Sequence, residues 1–364
     1  MKKTILVVYG GNTSEHDISI ISAVMVMRSM PSKGYKCVPV YLRDGIAYTG
    51  SKLFELKSYI NFNPALYDKI EIIKNGIYTY CRSGKLKKVN VVDCALLATH
   101  GGDGENGVLQ GFLQTHRIPH SSSDVRACAI CMDKQLTKLV ASSIGVNVVA
   151  GLVINGIKEY NRESIIAELG FPIIVKPVSQ GSSIGITVAN SQSELDDATN
   201  LALCFGDRVL YERQLSNFVE LNIAAVKLAG DIMISEIEEP VSQSDFLTFS
   251  DKYLSQVNDK LSISRKCQTT LDPEIRNHLI ETTKLLYEKI GLFGIARFDY
   301  LLSDNVLYLN EINAIPGNLA MNLFKQMSRS ELLTAVIDAS IMRGVPLAPR
   351  YESVVLENLK EIKK

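Results

Sequence analysis

The sequence predicts an α/β protein of two or three domains that opens with a doubly wound parallel sheet, and three observations carry that expectation. The apolar run at residues 4–9 (TILVVY) breaks on Gly10-Gly11, and residues 19–30 then show helical spacing. A buried parallel strand feeding a helix through a short glycine loop is the entry to such a sheet, whose ligand sites lie at the carboxyl ends of its strands. Strand-like apolar runs go on alternating with helical stretches along most of the chain. The 364 residues also exceed what one core ordinarily covers, since domains of about 100 to 150 residues are usual.

In order, residues 37–42 read as a second strand, 72–81 as a small hairpin, and 91–99 (VVDCALLAT) as a third buried strand ending in His100. The helix at 108–114 leads through Pro119 to Ser121-Ser122-Ser123-Asp124, residue types that favour helix N-caps, and a first boundary falls there. Residues 125–144 have helical spacing and carry Met132-Asp133-Lys134 and Lys138. Strands at 148–154 and 171–175 flank a helix at 164–169, and strands at 186–188 and 208–212 flank a helix at 193–203, with a second boundary near 210. An antiparallel pair follows at 220–228 and 232–237, then an amphipathic helix at 273–290, a hairpin within 296–317, a helix at 330–343 covering the sheet, and a frayed charged end from Glu357. The expected domains are 1–123, 124–210 and 211–364.

Composition narrows the function classes. The chain is 46% hydrophobic and 21% charged, and 39 basic residues balance 39 acidic ones, so no charge excess points to nucleic acid. Seven cysteines, an odd number without a disulfide-like framework, read as free thiols in a reducing compartment. Cys128-x-x-Cys131 lies within helical spacing and reads as packing. The apolar run after Lys2-Lys3 is too short for a secretory signal, and no run approaches the roughly 20 residues of a membrane span. The expectation is a cytoplasmic protein whose partners are small molecules, with no nucleic acid and no membrane.

Three stretches carry chemistry. In 296–317, acids alternate with apolar residues across a hairpin that turns at Ser303-Asp304-Asn305. Asp299 and Glu311 fall near neighbouring strand positions, and Glu311 and Asn313, two apart, share a face. Two carboxylates and an amide, with no His or Cys close by, suit a hard ion such as Mg²⁺ that shares its shell with phosphate oxygens. The second stretch, Lys176-Pro177 followed by VSQGSSIG, places a cation before a Gly181-Ser182-Ser183-x-Gly185 loop whose backbone could close over phosphates. The third, Gly102-x-Gly104-x-x-Gly107, is formally a dinucleotide fingerprint, and it raises an oxidoreductase alternative. Asp103 and Glu105 among its glycines would repel a pyrophosphate and favour a flexible substrate loop. Lys252 and Tyr253 sit in a polar stretch, 246–257, expected to be a mobile loop.

Taken together, these motifs resemble the D-alanine–D-alanine ligases of the ATP-grasp superfamily from Gly10 to about Leu323. The resemblance rests on Gly10-Gly11-x-x-Ser14-Glu15-His16, His100-Gly101 with Gly104-Glu105-x-Gly107 and Gln110-Gly111, and Met132-Asp133-Lys134. It continues through Val175-Lys176-Pro177 with the Gly-Ser loop, Lys252-Tyr253, Arg297-x-Asp299 and Asn310-Glu311-x-Asn313-x-x-Pro316-Gly317. It implies a three-domain ATP-grasp architecture with ATP held between two α+β domains, and a reaction in which ATP phosphorylates one D-alanine carboxylate before a second D-alanine amine attacks the acylphosphate. By the family pattern, Lys134 and Lys176 contact phosphates, with Ser183 and Lys252 also at the nucleotide. Residues 212–215, including Glu212, Arg213 and Leu215, form the adenine hinge; Glu220 binds ribose. Asp299, Glu311 and Asn313 hold Mg²⁺ or Mn²⁺, two ions in all. Glu15 binds the first ammonium, and Ser182 and Tyr253 link it to the mobile loop. His100 lies near the first substrate, Arg297 and the Gly317 N–H stabilise negative charge, and Asn322 and Leu323 face the second substrate. The resemblance also implies a homodimer and a role in peptidoglycan precursors.

Some positions depart from the pattern. The family's Thr-Ser-x-Ser-Leu run is here Asn318-Leu319-Ala320-Met321-Asn322-Leu323, with Asn322 at the second Ser. An amide can still donate to a carboxylate, but a different acceptor such as D-serine becomes the alternative. Tyr253 favours a dipeptide over a depsipeptide product. The 212–220 segment is one residue longer than is common, and Ser121-Ser122-Ser123 replaces a Gly-Ser turn.

Overall fold

The computed structural model describes residues 2–81, 83–240, 266–267 and 271–346. Lys252, Tyr253 and the end from Glu357 lie outside the described residues. The described chain builds three sheets in sequence order.

The first sheet has seven strands: β1 (Lys3–Gly10), β2 (Tyr35–Arg43), β3 (Ile46–Thr49), β4 (Asp68–Ile73), β5 (Gly76–Tyr80), β6 (Leu86–Val91) and β7 (Cys94–Leu97), in the order β6-β5-β4-β3-β2-β1-β7. Only β2, β1 and β7 run parallel, joined through helix α1 (His16–Ser29). The expected doubly wound parallel sheet is therefore corrected to a mixed one. Tight turns make the difference, because a connection of a few residues joins only antiparallel neighbours. Asp44-Gly45 links β2 to β3 and Lys74-Asn75 links β4 to β5, all four residues with positive φ. The expected buried strand at 91–99 is also divided: Val91 ends the exposed edge strand β6, and β7 starts at Cys94. Lysines 87 and 88 on β6 suit an edge exposed to water.

The second sheet comprises β8 (Gly151–Asn155), β9 (Ile173–Pro177), β10 (Thr187–Ala189) and β11 (Arg208–Arg213), ordered β10-β9-β11-β8 and entirely antiparallel. Helices α6 (Arg162–Leu169) and α7 (Gln192–Leu203) close one face over Ile165, Leu195, Ala198 and Ala202. Before it come a short turn, α2 (Lys57–Ile60), and helices α3 (Val108–Thr115), α4 (Val125–Met132) and α5 (Lys134–Ser143). The continuous helix expected at 125–144 breaks at Asp133. Its extended backbone and its carboxylate, which accepts from Leu136 N, make it the N-cap of α5. The boundary expected near 210 falls inside β11; the chain passes to the third sheet between Arg213 and Val219.

The third sheet contains β12 (Val219–Leu228), β13 (Asp231–Ile234), β14 (Glu238–Glu239), β15 (Lys266–Cys267), β16 (Ile295–Ser303) and β17 (Val306–Asn313). Helix α8 (Pro273–Ile290) packs on it through Leu279, Leu286 and Ile290. The last helix, α9 (Arg329–Arg343), does not join this core. Its Leu332, Leu333, Val336 and Ile337, with Leu319, Leu323 and Phe324 before it, bury into the core of the first sheet. Helix α9 and the segment before it thereby tie the third sheet to the first, packing also against Ala224, Val226 and Ile295. No helix among the described residues is long and apolar enough to cross a membrane.

Candidate active site

Glu15 sits at the carboxyl end of β1, on the residue before α1, and is buried. His16 holds that loop: its Nδ1 lies 2.6 Å from Gly11 O and its Nε2 2.8 Å from Tyr41 OH. Ser182, from the loop after β9, donates its hydroxyl to Glu15 Oε1. Two glycine backbones close on the carboxylate, where an added Cβ would crowd it. A Cβ at Gly101 would lie 2.6 Å from Glu15 Oε2, and one at Gly181 would lie 2.8 Å from it. Ser182 and Ser183 both take left-handed backbone, with φ of 52° and 59°, which turns the loop over the cleft.

The hairpin β16–β17 turns through Asp304-Asn305 and sets Asp299 directly opposite Glu311, and Arg297 opposite Asn313. A bulge between Asp299 and Tyr300 leaves Asn310 as the extra residue. Arg297 grips Asp299 in a two-pronged contact, Nε to Oδ1 at 2.6 Å and Nη2 to Oδ2 at 2.7 Å, and Asn313 Nδ2 donates to Oδ2 at 3.1 Å. Among the described residues no three His, Cys, Asp or Glu side chains gather as a metal site. The set here is instead two carboxylates and an amide, whose hard oxygens suit Mg²⁺ supplemented by water and phosphate. Arg297 supplies Asp299 with a positive partner in this structure.

Three lysines approach from the second sheet and α5. Lys134 donates to Gln180 O; Lys176 and Lys138 grip the two oxygens of Glu212, and Lys176 Nζ also lies 3.4 Å from Asn310 Oδ1. All four side chains are buried. Burial lowers the pKa of Lys134, although Glu311, Glu15 and Glu212 oppose it. Burial acts to raise that of Glu212, but Lys176 and Lys138 outweigh it and hold the carboxyl below its usual range.

His100, at the end of the segment that follows β7, has Nε2 2.8 Å from Ser22 Oγ, and Ser22 Oγ also accepts from Asn318 N at 3.1 Å. Burial pushes the His100 pKa down to about 4, so the ring is neutral at neutral pH. The expected flexible loop at Gly102 is instead pinned. Glu105 accepts from Gly101 N at 3.1 Å and from Ile315 N at 3.2 Å, and burial with the nearby Glu15 raises its pKa to about 7. Its own carboxylate thus takes up the loop amide a dinucleotide phosphate would need. Asn318, Leu319 and Ala320, just past Gly317, all have positive φ.

These groups line two adjoining cavities. The larger, about 1220 Å³ including space open to solvent, is walled by Glu15, His100, Ser182, Arg297, Asn313, Gly317, Asn322 and Leu323. The smaller, about 820 Å³, is walled by Lys176, Ser183, Glu212, Arg213 and Leu215. Lys134, Glu220 and Glu311 line both, and Asp299 lies buried behind the wall. Sequence reasoning missed Asn222, Gln180, Ser22 and the clamping role of Glu105. For Asn222 a signal existed: it is two residues from Glu220 on one strand, and its register puts it opposite Asp299. Ser22 carried no signal, since a serine on a helix face gains meaning only from what packs against it.

Fold and cleft together define an α/β protein that draws lysines, carboxylates and a Gly-Ser loop from three sheets to one place. Comparison with known proteins makes this specific. The family model for the D-ala D-ala ligase N-terminus matches residues 4–123, and that for the D-ala D-ala ligase C-terminus matches residues 140–335. A D-alanine–D-alanine ligase of Thermosipho melanesiensis is 30% identical over 344 residues, covering 93% of this chain and 92% of that protein. One from Helicobacter pylori strain P12 is 32% identical over 324 residues, covering 87% and 89%. Among solved structures, a Helicobacter pylori D-alanine–D-alanine ligase superposes with a TM-score of 0.78 at 26% identity, covering 96% of this chain and 100% of that one. A D-Ala:D-Ser ligase from Enterococcus faecalis gives 0.77 at 25% identity, covering 93% and 100%. The chain belongs to the D-alanine–D-alanine ligase family.

Proposed function

We propose that this chain is an ATP-dependent ligase that joins two D-alanines into D-alanyl-D-alanine for peptidoglycan precursors. One observation carries the reading: the buried Glu15–Ser182 pair, the lysine-lined cavity and the Arg297–Asp299–Asn313 cluster open on one continuous cleft. The γ-phosphoryl group of ATP passes to a carboxylate oxygen of the first D-alanine, releasing ADP. The amine of the second attacks the acyl carbon, phosphate leaves, and the nitrogen gives up its proton.

The residues divide the work by charge. Glu15, fixed by Ser182, fits the ammonium of the first amino acid, while neutral His100 lies along the same wall. Lys134 and Lys176 meet the phosphates, Ser183 and the Gly-Ser backbone cover them, and Glu212, Arg213, Leu215 and Glu220 wall the base and ribose end. Asp299, Glu311 and Asn313 would hold Mg²⁺ or Mn²⁺, which neutralises phosphate charge when bound. Arg297 and the Gly317 amide face the larger cavity, where charge develops on the acyl oxygen. Asn322 can donate to the carboxylate of the second amino acid. The resemblance alone assigns roles to Lys252 and Tyr253, which lie outside the described residues.

The architecture proposed is the three-domain ATP-grasp one, with a first domain close to 1–123, the second boundary moved from near 210 to between Arg213 and Val219, and nucleotide between the second and third sheets. By family habit the protein is a cytoplasmic homodimer. The names of its sequence relatives favour D-alanine over D-serine as the second substrate. Phosphate release from Mg²⁺-ATP, with D-alanine, L-alanine, D-serine and D-lactate offered singly and in pairs and the product identified by mass, tests the reading. Turnover with D-alanine alone supports it. Silence with D-alanine alone but turnover in a mixture would move the chain to another acceptor.

A further inference from the structure

Lys138 has no part in the reading above. It lies one helical turn beyond Lys134 on α5 and is only 8% exposed, so its ammonium is buried. Its partner is Glu212 Oε1, while the other oxygen of that carboxylate, Oε2, meets Lys176. The two lysines differ in position. Lys176 lines the smaller cavity and Lys138 does not, so Glu212 is held from the cavity side by one and from behind by the other.

Two buried ammonium groups on one carboxylate leave one positive charge in excess. A buried charge stripped of its counter-charge is strongly unfavourable. Were Lys176 the sole partner of Glu212, its departure towards an anion in the cavity would strand the carboxylate. With Lys138 behind, the carboxylate stays compensated and Lys176 can leave. Lys176 already has a second contact on the cleft side, Asn310 Oδ1 at 3.4 Å. Burial lowers the Lys138 pKa and the nearby Lys176 lowers it further, so Glu212 is the group that opposes the loss of its charge.

We propose that Lys138 is the fixed counter-ion of Glu212, and that by holding this carboxylate it frees Lys176 to exchange Glu212 for a nucleotide phosphate. Lys138 is then a positioning residue for nucleotide binding. The inference rests on reading the smaller cavity as the ATP site.

The test is equilibrium binding of Mg²⁺-ATP to the full chain and to K138M, E212Q and K138M/E212Q, with steady-state kinetics alongside. K138M, which keeps length but loses charge, should weaken ATP binding about tenfold or more while leaving the KM for D-alanine within about twofold. The double variant should bind ATP within about twofold of E212Q alone, because Lys138 acts only through that carboxylate. A plain packing role would lower both substrates' performance together and make the two changes additive. A folded K138M with wild-type ATP affinity overturns the inference, as does a double variant weaker than E212Q by the full K138M factor. Should K138M not fold, the comparison of K138M/E212Q with E212Q decides, since it buries no unpaired carboxylate. Wild-type protein that binds no ATP overturns the cavity reading and this inference with it; wild-type binding beside an unchanged K138M overturns this inference alone.

Discussion

Gly181→Ala asks how closely the cleft is built around Glu15. The added Cβ would lie 2.8 Å from Glu15 Oε2 and 3.1 Å from Oε1, so the carboxylate must retreat. Gly181 is not among the residues with positive φ, which leaves crowding, rather than backbone strain, as the perturbation. Overpacking of this kind costs about 1–3 kcal/mol in a tight core, and the lower end applies here because the obstacle is one side chain's end. A shift approaching 1 Å at a group that orients substrate costs up to about 10²-fold in rate. The expected result is therefore a fall of about ten- to a hundredfold in kcat/KM for D-alanine, with unfolding free energy lowered by less than about 2 kcal/mol. Phosphate release and denaturant unfolding read the two quantities separately. Gly206→Ala is the control, since a Cβ there meets nothing within 4 Å and its φ is not positive. It should be neutral in both assays. Wild-type kcat/KM in G181A would refute the claim that the Gly-Ser loop positions Glu15.

Glu311→Gln removes one of two opposed carboxylates and should cut Mg²⁺-dependent phosphate release by about a hundredfold or more, with the midpoint of a Mg²⁺ titration moved upwards; unchanged Mg²⁺ dependence would discard the metal assignment. The His100 pKa is held down at about 4 against an ordinary 6.5, so its share of stability is complete above pH 6.5 and is lost as pH falls through about 4. That share is about 3 kcal/mol, and unfolding measured at pH 7 and pH 4 should show a smaller loss on acidification in His100→Gln than in the wild type. Equal acid losses would show that His100 is not the buried titrating group described. Asn322→Ser should keep D-alanyl-D-alanine as product and change the KM of the second D-alanine without changing that of the first, as read by initial rates over a wide D-alanine range. A change confined to the first site would remove Asn322 from the acceptor wall.

Much of the site was legible because its chemistry is written locally. The two-residue period puts Glu311 and Asn313 on one face, and the Ser303-Asp304-Asn305 turn brings Asp299 beside them, although it is the bulge at Asn310 that sets Asp299 directly opposite Glu311. Lys176 and the Gly-Ser loop are adjacent in sequence for the same reason: a strand must end where its ligand loop begins. The assignments of Glu15, His100 and Arg213 needed the resemblance, since nothing in their local sequence states what they face.

What the sequence determined alone is the set of elements with strong local patterns and the donors they carry: β1 with its glycine turn, α8, the β16–β17 hairpin and its carboxylates. Only the tertiary structure decided how these meet. It made the first sheet mixed, laid α9 between that sheet and β12 of the third, pinned the Gly102 loop through Glu105 to Ile315, and put Lys138 and Lys176 on opposite sides of Glu212. The physical reason is distance along the chain. Periodicity, capping and turn chemistry act over a few residues, whereas strand order, burial of a charge and the partner it finds depend on contacts between segments tens to hundreds of residues apart.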